Sequence, residues 1–235
     1  MKKYQYLFFD LDHTLWDFDS NARQSLKQLF SDLSLPDRGI NDFEKFYTQY
    51  IQHNDKLWER YRKGFIRVDD LRWKRMWHTL LDFRIGDEKL ARRMSDIFLE
   101  LLPTRTLLFP HAVELLDYLK AKGLALHLIT NGFEATQHSK LENSGLRQYF
   151  GQVITSEGSN SIKPQREIFE YAFRLTGAQP HNSLMIGDNI EVDILGAKNA
   201  GMDQVYVNHI NNSPCVDSTY TVYSLNELKA LFEIE

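Results

Sequence analysis

Four short stretches of this 235-residue chain carry side chains of the types that handle phosphate and small hard cations. They are Asp10-Leu11-Asp12-His13-Thr14-Leu15, Thr130-Asn131-Gly132, Lys163-Pro164 and Gly187-Asp188-Asn189, with Asp193 five residues beyond Asp188. Carboxylate, carbonyl and water oxygens suit Mg²⁺, with Mn²⁺ as an alternative. Asp10 and Asp188 can supply side-chain ligands, and a backbone carbonyl near Asp12 a further one. Such a cation relieves repulsion between an anionic nucleophile and an anionic phosphate. Asp10 can then attack phosphorus and carry the phosphoryl group as an aspartyl phosphate. Asp12, two residues on, is placed to protonate the leaving oxygen and afterwards to activate water. The Thr130 hydroxyl and the amides around Asn131 and Gly132 suit phosphate oxygens at a helix N-terminus. Lys163 adds positive charge that offsets charge in the transition state. Asp193 orients Lys163 or the surroundings of the metal rather than binding the ion directly, with Asn189, next to Asp188, in a supporting place.

Each stretch also has a plainer reading, since Asp-x-Asp, Thr-Asn-Gly, Lys-Pro and Gly-Asp-Asn all occur in ordinary turns. What separates the two readings is where the stretches fall. Tyr6–Asp10 is a short apolar and aromatic run, like a buried strand. Leu124–Thr130, Gln152–Thr155, Leu184–Gly187, Val205–Val207 and Tyr220–Val222 are strand-like too. Between them lie helical segments at Ala112–Lys122, Glu134–Asn143, Gln165–Thr176, Asp193–Asn199 and Leu225–Phe232, several followed by a glycine. Strands alternating with helices predict a Rossmann-like parallel sheet with helices on both faces. In such sheets ligands bind beyond the carboxyl ends of the strands, and the four stretches each follow a predicted strand in order. From about Asp17 to Leu102 the pattern is helical instead: Leu26, Leu29, Phe30, Leu33; Phe43, Phe46, Tyr47, Tyr50, Ile51; Leu71, Trp73, Met76, Trp77, Leu80; Leu90, Met94, Ile97, Phe98, Leu101. Breaks at Pro36–Gly39, Lys63-Gly64 and Arg84–Asp87 divide this insert into about four helices. The expected organisation is therefore α/β, with a core from residues 1–16 and 103–235 and a helical cap from 17–102 inserted after the first strand.

Composition narrows the class. Hydrophobic residues at 43% and charged residues at 26% are those of a folded globular chain, and the net charge of −4 does not favour a nucleic-acid partner. The lone cysteine, Cys215, cannot form an internal disulfide, which fits a reducing compartment. The N-terminal apolar run is too short for a signal peptide, and nothing approaches the roughly 20 apolar residues of a membrane span. A cytoplasmic protein, monomer or dimer, acting on a small molecule is the expectation.

These four motifs together resemble the haloacid dehalogenase superfamily, and the helices between the first and second resemble its cap; the likeness covers essentially the whole chain. It implies a Rossmann-like core, Mg²⁺, a phospho-aspartate intermediate and a cap that closes over the substrate. The true dehalogenases of that superfamily attack carbon, need no metal and lack an acid at the position of Asp12, so the carboxylate here resembles the phosphatases and phosphomutases. One departure is visible: related chains usually carry glycine three residues before the motif lysine, where this one has Asn160.

A narrower resemblance rests on Phe8-Phe9-Asp10, on Trp16-Asp17-Phe18-Asp19-Ser20, on the stretch from Asn54 through Lys56, Trp58 and Arg60 to Gly64, and on Ile129-Thr130-Asn131-Gly132-Phe133. Together these are similar to bacterial noncanonical pyrimidine nucleotide 5′-nucleotidases. That group implies hydrolysis of dUMP, dTMP and UMP, with Phe18, Asn54, Lys56 and Trp58 as substrate contacts. The rival readings are a phosphatase of phosphoglycolate or of a sugar phosphate, a phosphomutase, a 2-haloacid dehalogenase, and a non-catalytic binding protein on the same fold. The remaining conspicuous residues read as structural: Trp73 and Trp77 as one core-facing stripe, the basic run Arg60–Arg75 as a solvated face, and the eight histidines as scattered, with His13 beside the nucleophile but not required for catalysis.

Overall fold

Strand β1 (Tyr6–Phe9) is the hub of the fold. It pairs in parallel with β2 (Ala125–Thr130) on one side and β4 (Ser183–Gly187) on the other, with Phe9 level with Leu128 and with Ile186. The sheet is parallel throughout, in the order β3-β2-β1-β4-β5-β6, with β3 Val153–Thr155, β5 Asp203–Val207 and β6 Tyr220–Val222. Parallel strands are covered on both faces, which is why β1 and β4 read as continuous apolar runs rather than as alternating ones. The computed structural model describes residues 4–210 and 217–233; Met1–Lys3 and Cys215, on which two of the expectations above rest, lie outside that range.

The chain divides into two units, residues 1–18 with 106–235, and residues 19–105. In the first, α5 (Ala112–Ala121), α6 (Glu134–Asn143), the single turn α7 (Ser156–Ser159), α8 (Arg166–Thr176) and α9 (Gly196–Asn199) connect the strands. Phe8, Ile129 and Met185 from the sheet pack with Ile168, Phe169 and Ala172 of α8 into one apolar layer. Each of the Phe, Ile and Met side chains, when fully buried, contributes roughly 1.5–3 kcal/mol. His127 of β2 belongs to this interior: its Nδ1 accepts the Gln152 N–H at 3.1 Å, and burial pulls its pKa down to about 4. The chain leaving β1 and the chain returning to α5 pair briefly, Phe109 N–H donating to Leu15 O and Asp17 N–H to Leu107 O.

The second unit carries α1 (Phe18–Asp32, from its second residue), α2 (Phe43–Arg62), α3 (Val68–Asp82) and α4 (Glu88–Leu101). Asp42 and Asp87 cap α2 and α4, each accepting the amide three residues on. Its interior is Leu26, Leu29, Phe46, Tyr50, Leu71, Met76, Leu80, Met94 and Phe98. Two expectations about α3 need correcting. The face it buries runs through Leu71, Arg75, Met76, Thr79 and Leu80, so Trp73 and Trp77 fall on its flank, half-buried, with the Arg92 guanidinium 4.0 Å from the Trp73 ring. Arg75 is not on a solvated face either. It is buried because its donors are satisfied within the unit, by Leu71 O at 3.0 Å and Asn54 Oδ1 at 3.0 Å. Among the described residues no helix is long and apolar enough to cross a membrane.

Candidate active site

In the strand order 3-2-1-4-5-6 the direction of winding reverses between β1 and β4, and the carboxyl ends of strands at such a reversal are where open parallel sheets bind ligands. Asp10 directly follows β1, and its N–H continues the ladder to Ile186 O at 2.9 Å. Asp188 directly follows β4. Both motif acids are therefore set at one edge by strand register, not by their own side-chain preferences.

Lys163 arrives from the loop between α7 and α8. Its backbone is held by one residue: Asn131 Oδ1 accepts the Lys163 N–H at 2.8 Å, and Asn131 Nδ2 donates to Lys163 O at 2.9 Å. The side chain of Asn131 thus fastens the lysine loop to the end of β2. Thr130 Oγ1 accepts the Gly132 N–H at 3.1 Å. The turn before Lys163 requires a left-handed residue, and Asn160 adopts φ 52° and ψ 32° there. Asparagine tolerates that conformation better than other non-glycine residues, so the loop keeps its turn without the glycine usual in related chains.

With its backbone fixed, Lys163 reaches inward, 1% exposed, and donates to Asp10 Oδ1 and Asp193 Oδ1, each at 2.6 Å. Asp193 Oδ2 in turn accepts the Asn189 N–H at 3.1 Å, so both of its oxygens are committed. The helix predicted over Asp193–Asn199 starts earlier and is wound more widely: Ile190–Leu195 is π-helical, capped by Asn189 Oδ1 accepting from Val192 N–H, and α9 follows. That wide turn carries Asp193 back over the end of β4. Its side chain lies so close that a Cβ on Gly187 would come 2.4 Å from Asp193 Oδ2 and 2.6 Å from its Cβ, which only glycine avoids.

One carboxylate oxygen from each of Asp10, Asp188 and Asp193 lies within 4.8 Å of the others. Three acids face one lysine in a buried site, and the electrostatics follow. Burial pushes the Asp10 carboxyl up to about 8; Lys163 opposes the rise, and Asp193 and Asp188 add to it. Asp188 is pushed up to about 7, by burial and then by Asp193, against a hydrogen bond from Thr14 Oγ1 at 2.9 Å. Burial alone would lower Lys163, but Asp10 and Asp193 outweigh it and raise it, so the ammonium stays charged. A cluster of hard oxygen donors short of positive charge is what a divalent cation fits; Asp10 and Asp188 would offer it side-chain oxygens, while both oxygens of Asp193 already accept from Lys163 and Asn189 N–H.

The Asp12 carboxylate is not part of this cluster. It turns toward α6, where Lys140 Nζ donates to Oδ1 at 2.5 Å and Gln137 Nε2 to Oδ2 at 2.9 Å. Gln137 also fills the space beside Gly132, where a Cβ would come 1.8 Å from its Nε2. Gln137, Lys140 and His209 are residues of this region that motif reading missed, and Thr14 lies inside the first motif but has no task assigned to it there. His209 Nε2–H donates to Thr14 O at 3.1 Å while its ring stacks on Phe109 at 3.9 Å. A sequence signal for α6 did exist, because Phe133, Gln137, Lys140 and Leu141 share one helical face and two of them are polar. Of the expected substrate contacts, Phe18 is half-buried against His13 and Trp16, with ring centroids at 5.1 Å and 6.4 Å. Asn54 is buried and committed to Arg75, Lys56 is exposed, and Trp58 is half-buried edge-on to Tyr61.

Comparison with known proteins agrees with this arrangement. Residues 4–201 match the haloacid dehalogenase-like hydrolase family. The pyrimidine 5′-nucleotidase YjjG of Escherichia coli is 34% identical over 235 residues, covering 97% of this chain and 98% of that protein. The pyrimidine 5′-nucleotidase PynA of Streptococcus pneumoniae is 33% identical over 228 residues, covering 96% and 93%. The crystal structure of the HAD-hydrolase YfnB of Bacillus subtilis, bound to magnesium, superimposes with a TM-score of 0.90 at 28% identity, over 99% of this chain and 100% of that one. With the acid pair after β1, the lysine between α7 and α8, and the acids after β4 all in place, the chain belongs to the haloacid dehalogenase-like hydrolase family.

Proposed function

We propose that this hydrolase is a Mg²⁺-dependent phosphomonoesterase acting through an acyl phosphate on Asp10, and that its substrates are pyrimidine nucleoside monophosphates such as dUMP, dTMP and UMP. The observation that carries the chemistry is the Lys163–Asp10 contact of 2.6 Å beside Asp188 at the point where the sheet reverses. Lys163 holds Oδ1 of Asp10, which leaves Oδ2 to attack phosphorus in line with the ester oxygen. As the P–O bond breaks, Asp12 gives a proton to the departing alcohol oxygen. The enzyme is then an aspartyl phosphate with Asp12 ionised. Asp12 next takes a proton from water as that water attacks phosphorus, and inorganic phosphate and the Asp10 carboxylate are restored. Thr130 and the backbone amides at the start of α6 bind phosphoryl oxygens, and Lys163 offsets their charge throughout. A Mg²⁺ held by Asp10 and Asp188 supplies the remaining positive charge that lets one anion approach another.

The substrate assignment is supported by two nucleotidases about one-third identical across nearly the whole chain. The core recognises only a phosphoryl group, so we assign selectivity to Phe18, Asn54, Lys56 and Trp58. Stacking alone accepts any base, and preference for pyrimidines requires shape or polar groups aimed at the base edge. The test is kcat/KM for dUMP, dTMP and UMP against AMP, GMP, phosphoglycolate and sugar phosphates. Pyrimidines are expected to lead, and Trp58→Ala to weaken their hydrolysis while sparing p-nitrophenyl phosphate. Equal turnover of purines, or phosphoglycolate ahead of every nucleotide, sinks the nucleotidase reading and leaves the phosphatase.

A further inference from the structure

Asp12 is held at both oxygens by one helix face. Lys140 Nζ donates to Oδ1 at 2.5 Å and Gln137 Nε2 to Oδ2 at 2.9 Å, from residues three apart on α6. The two bonds are unequal. Lys140 is 1% exposed, and its ammonium also lies 4.2 Å from the Trp16 ring and 5.5 Å from the Phe18 ring. A charge-assisted bond from a buried ammonium is stronger than one from a neutral amide. The Gln137 bond is a neutral amide donor, and the other end of that amide, Oε1, is buried with no hydrogen-bond partner among the described residues. Besides Asp12, the Gln137 amide is held by packing beside Gly132.

We propose that Lys140 is a positioning residue that anchors Asp12 through Oδ1 for the whole cycle, and that Oδ2 is the oxygen that exchanges the proton, the Gln137 bond being the one that gives way to the leaving group. The inference rests on reading Asp12 as the acid and base of a phosphatase. It assigns different jobs to two residues that touch the same carboxylate. With Lys140 in place, the Oδ2 proton is delivered along a fixed direction to the ester oxygen as the P–O bond breaks. Without it, Asp12 swings toward solvent and the departing oxygen leaves unprotonated. That loss is felt by poor leaving groups and hardly by good ones, because a stable anion needs no proton on departure.

The experiment uses the full chain with Mg²⁺ and two aryl esters, p-nitrophenyl phosphate and the poorer leaving group phenyl phosphate, so that it does not depend on nucleotide preference. The readout is kcat/KM, which reports steps through phosphoryl transfer to Asp10. Lys140→Met, nearly matched in length and apolar beside Trp16 and Phe18, is expected to lower kcat/KM for phenyl phosphate about tenfold more than for p-nitrophenyl phosphate. Lys140→Arg restores most of that difference, and Gln137→Met leaves the ratio of the two esters within about twofold of the parent. An equal fall on both esters in Lys140→Met, which is what damaged packing produces, overturns the proposal. So does a Gln137→Met variant that shifts the ratio as far as Lys140→Met. Chelator-sensitive phosphate release by the unsubstituted protein keeps the phosphatase reading whatever the variants do; if neither ester is hydrolysed, both readings fall.

Discussion

Asp10→Asn should abolish turnover and at the same time make the metal-free protein more stable. The amide is nearly isosteric but is a poor nucleophile and a poor ligand for a hard cation. The gain in stability comes from the charge balance at the end of β1. Asp10 is buried with Asp188 and Asp193 around one lysine, and its pKa rises from 3.8 to about 8. The folded chain therefore binds a proton that the unfolded chain releases. The sign follows from linkage: stability associated with a raised carboxyl is present at low pH and lost as pH climbs through the folded value. At pH 8 and above the ceiling on that loss is about 6 kcal/mol for a rise of this size. Asparagine recovers only part of it, because Lys163 gives up one ionised partner, although Asp193 remains 2.6 Å from its Nζ. A net gain of about 2 kcal/mol at pH 8 corresponds to a rise in Tm of roughly 4–8 °C for a chain of this size. Thermal unfolding of both proteins in chelator, from pH 5 to pH 9, is the measurement. The gap should widen with pH between about 4 and 8 and then level off, while Mg²⁺ raises the Tm of the parent protein alone. An Asp10→Asn protein that is less stable than the parent at pH 8 in chelator would refute the account of Asp10 as a strained, cation-seeking carboxylate.

Two further outcomes follow from the same site. Protons and Mg²⁺ compete for Asp10 and Asp188, whose pKa values stand at about 8 and about 7, so the Mg²⁺ concentration for half-maximal activity should rise steadily as pH falls below about 8; a requirement that does not change between pH 6 and pH 8 would contradict the assignment of these ligands. Thr14→Val removes the 2.9 Å bond to Asp188 Oδ1 while keeping shape, and should raise that Mg²⁺ requirement roughly three- to tenfold with Tm in chelator nearly unchanged; metal titrations of activity for both proteins decide it.

Much of this was available from local pattern. A buried parallel strand is a short apolar run, and an amphipathic helix repeats every three or four residues. Both signals are carried by neighbours in sequence, so the strands, the four inserted helices and the order of the motif acids could be read without coordinates. Asp10 and Asp188 reach one edge because each follows a strand of a parallel sheet, a consequence of element order alone.

What the tertiary structure decided is the use to which each polar group is put. The side chain of Asn131, to which local pattern assigns no task, fastens the Lys163 backbone, because its two amide ends match the N–H and C=O of a loop thirty-two residues away. Arg75 reads as a solvent-facing charge yet is buried, because Asn54 on a different helix supplies its acceptor. Lys140 carries no motif, and its surroundings are set by an aspartate 128 residues earlier together with the rings of Trp16 and Phe18. A hydrogen bond depends on positions to within a few tenths of an ångström, and those positions are fixed by how distant segments register against one another. Hydrophobic period survives in one dimension; the pairing of buried charges exists only in three.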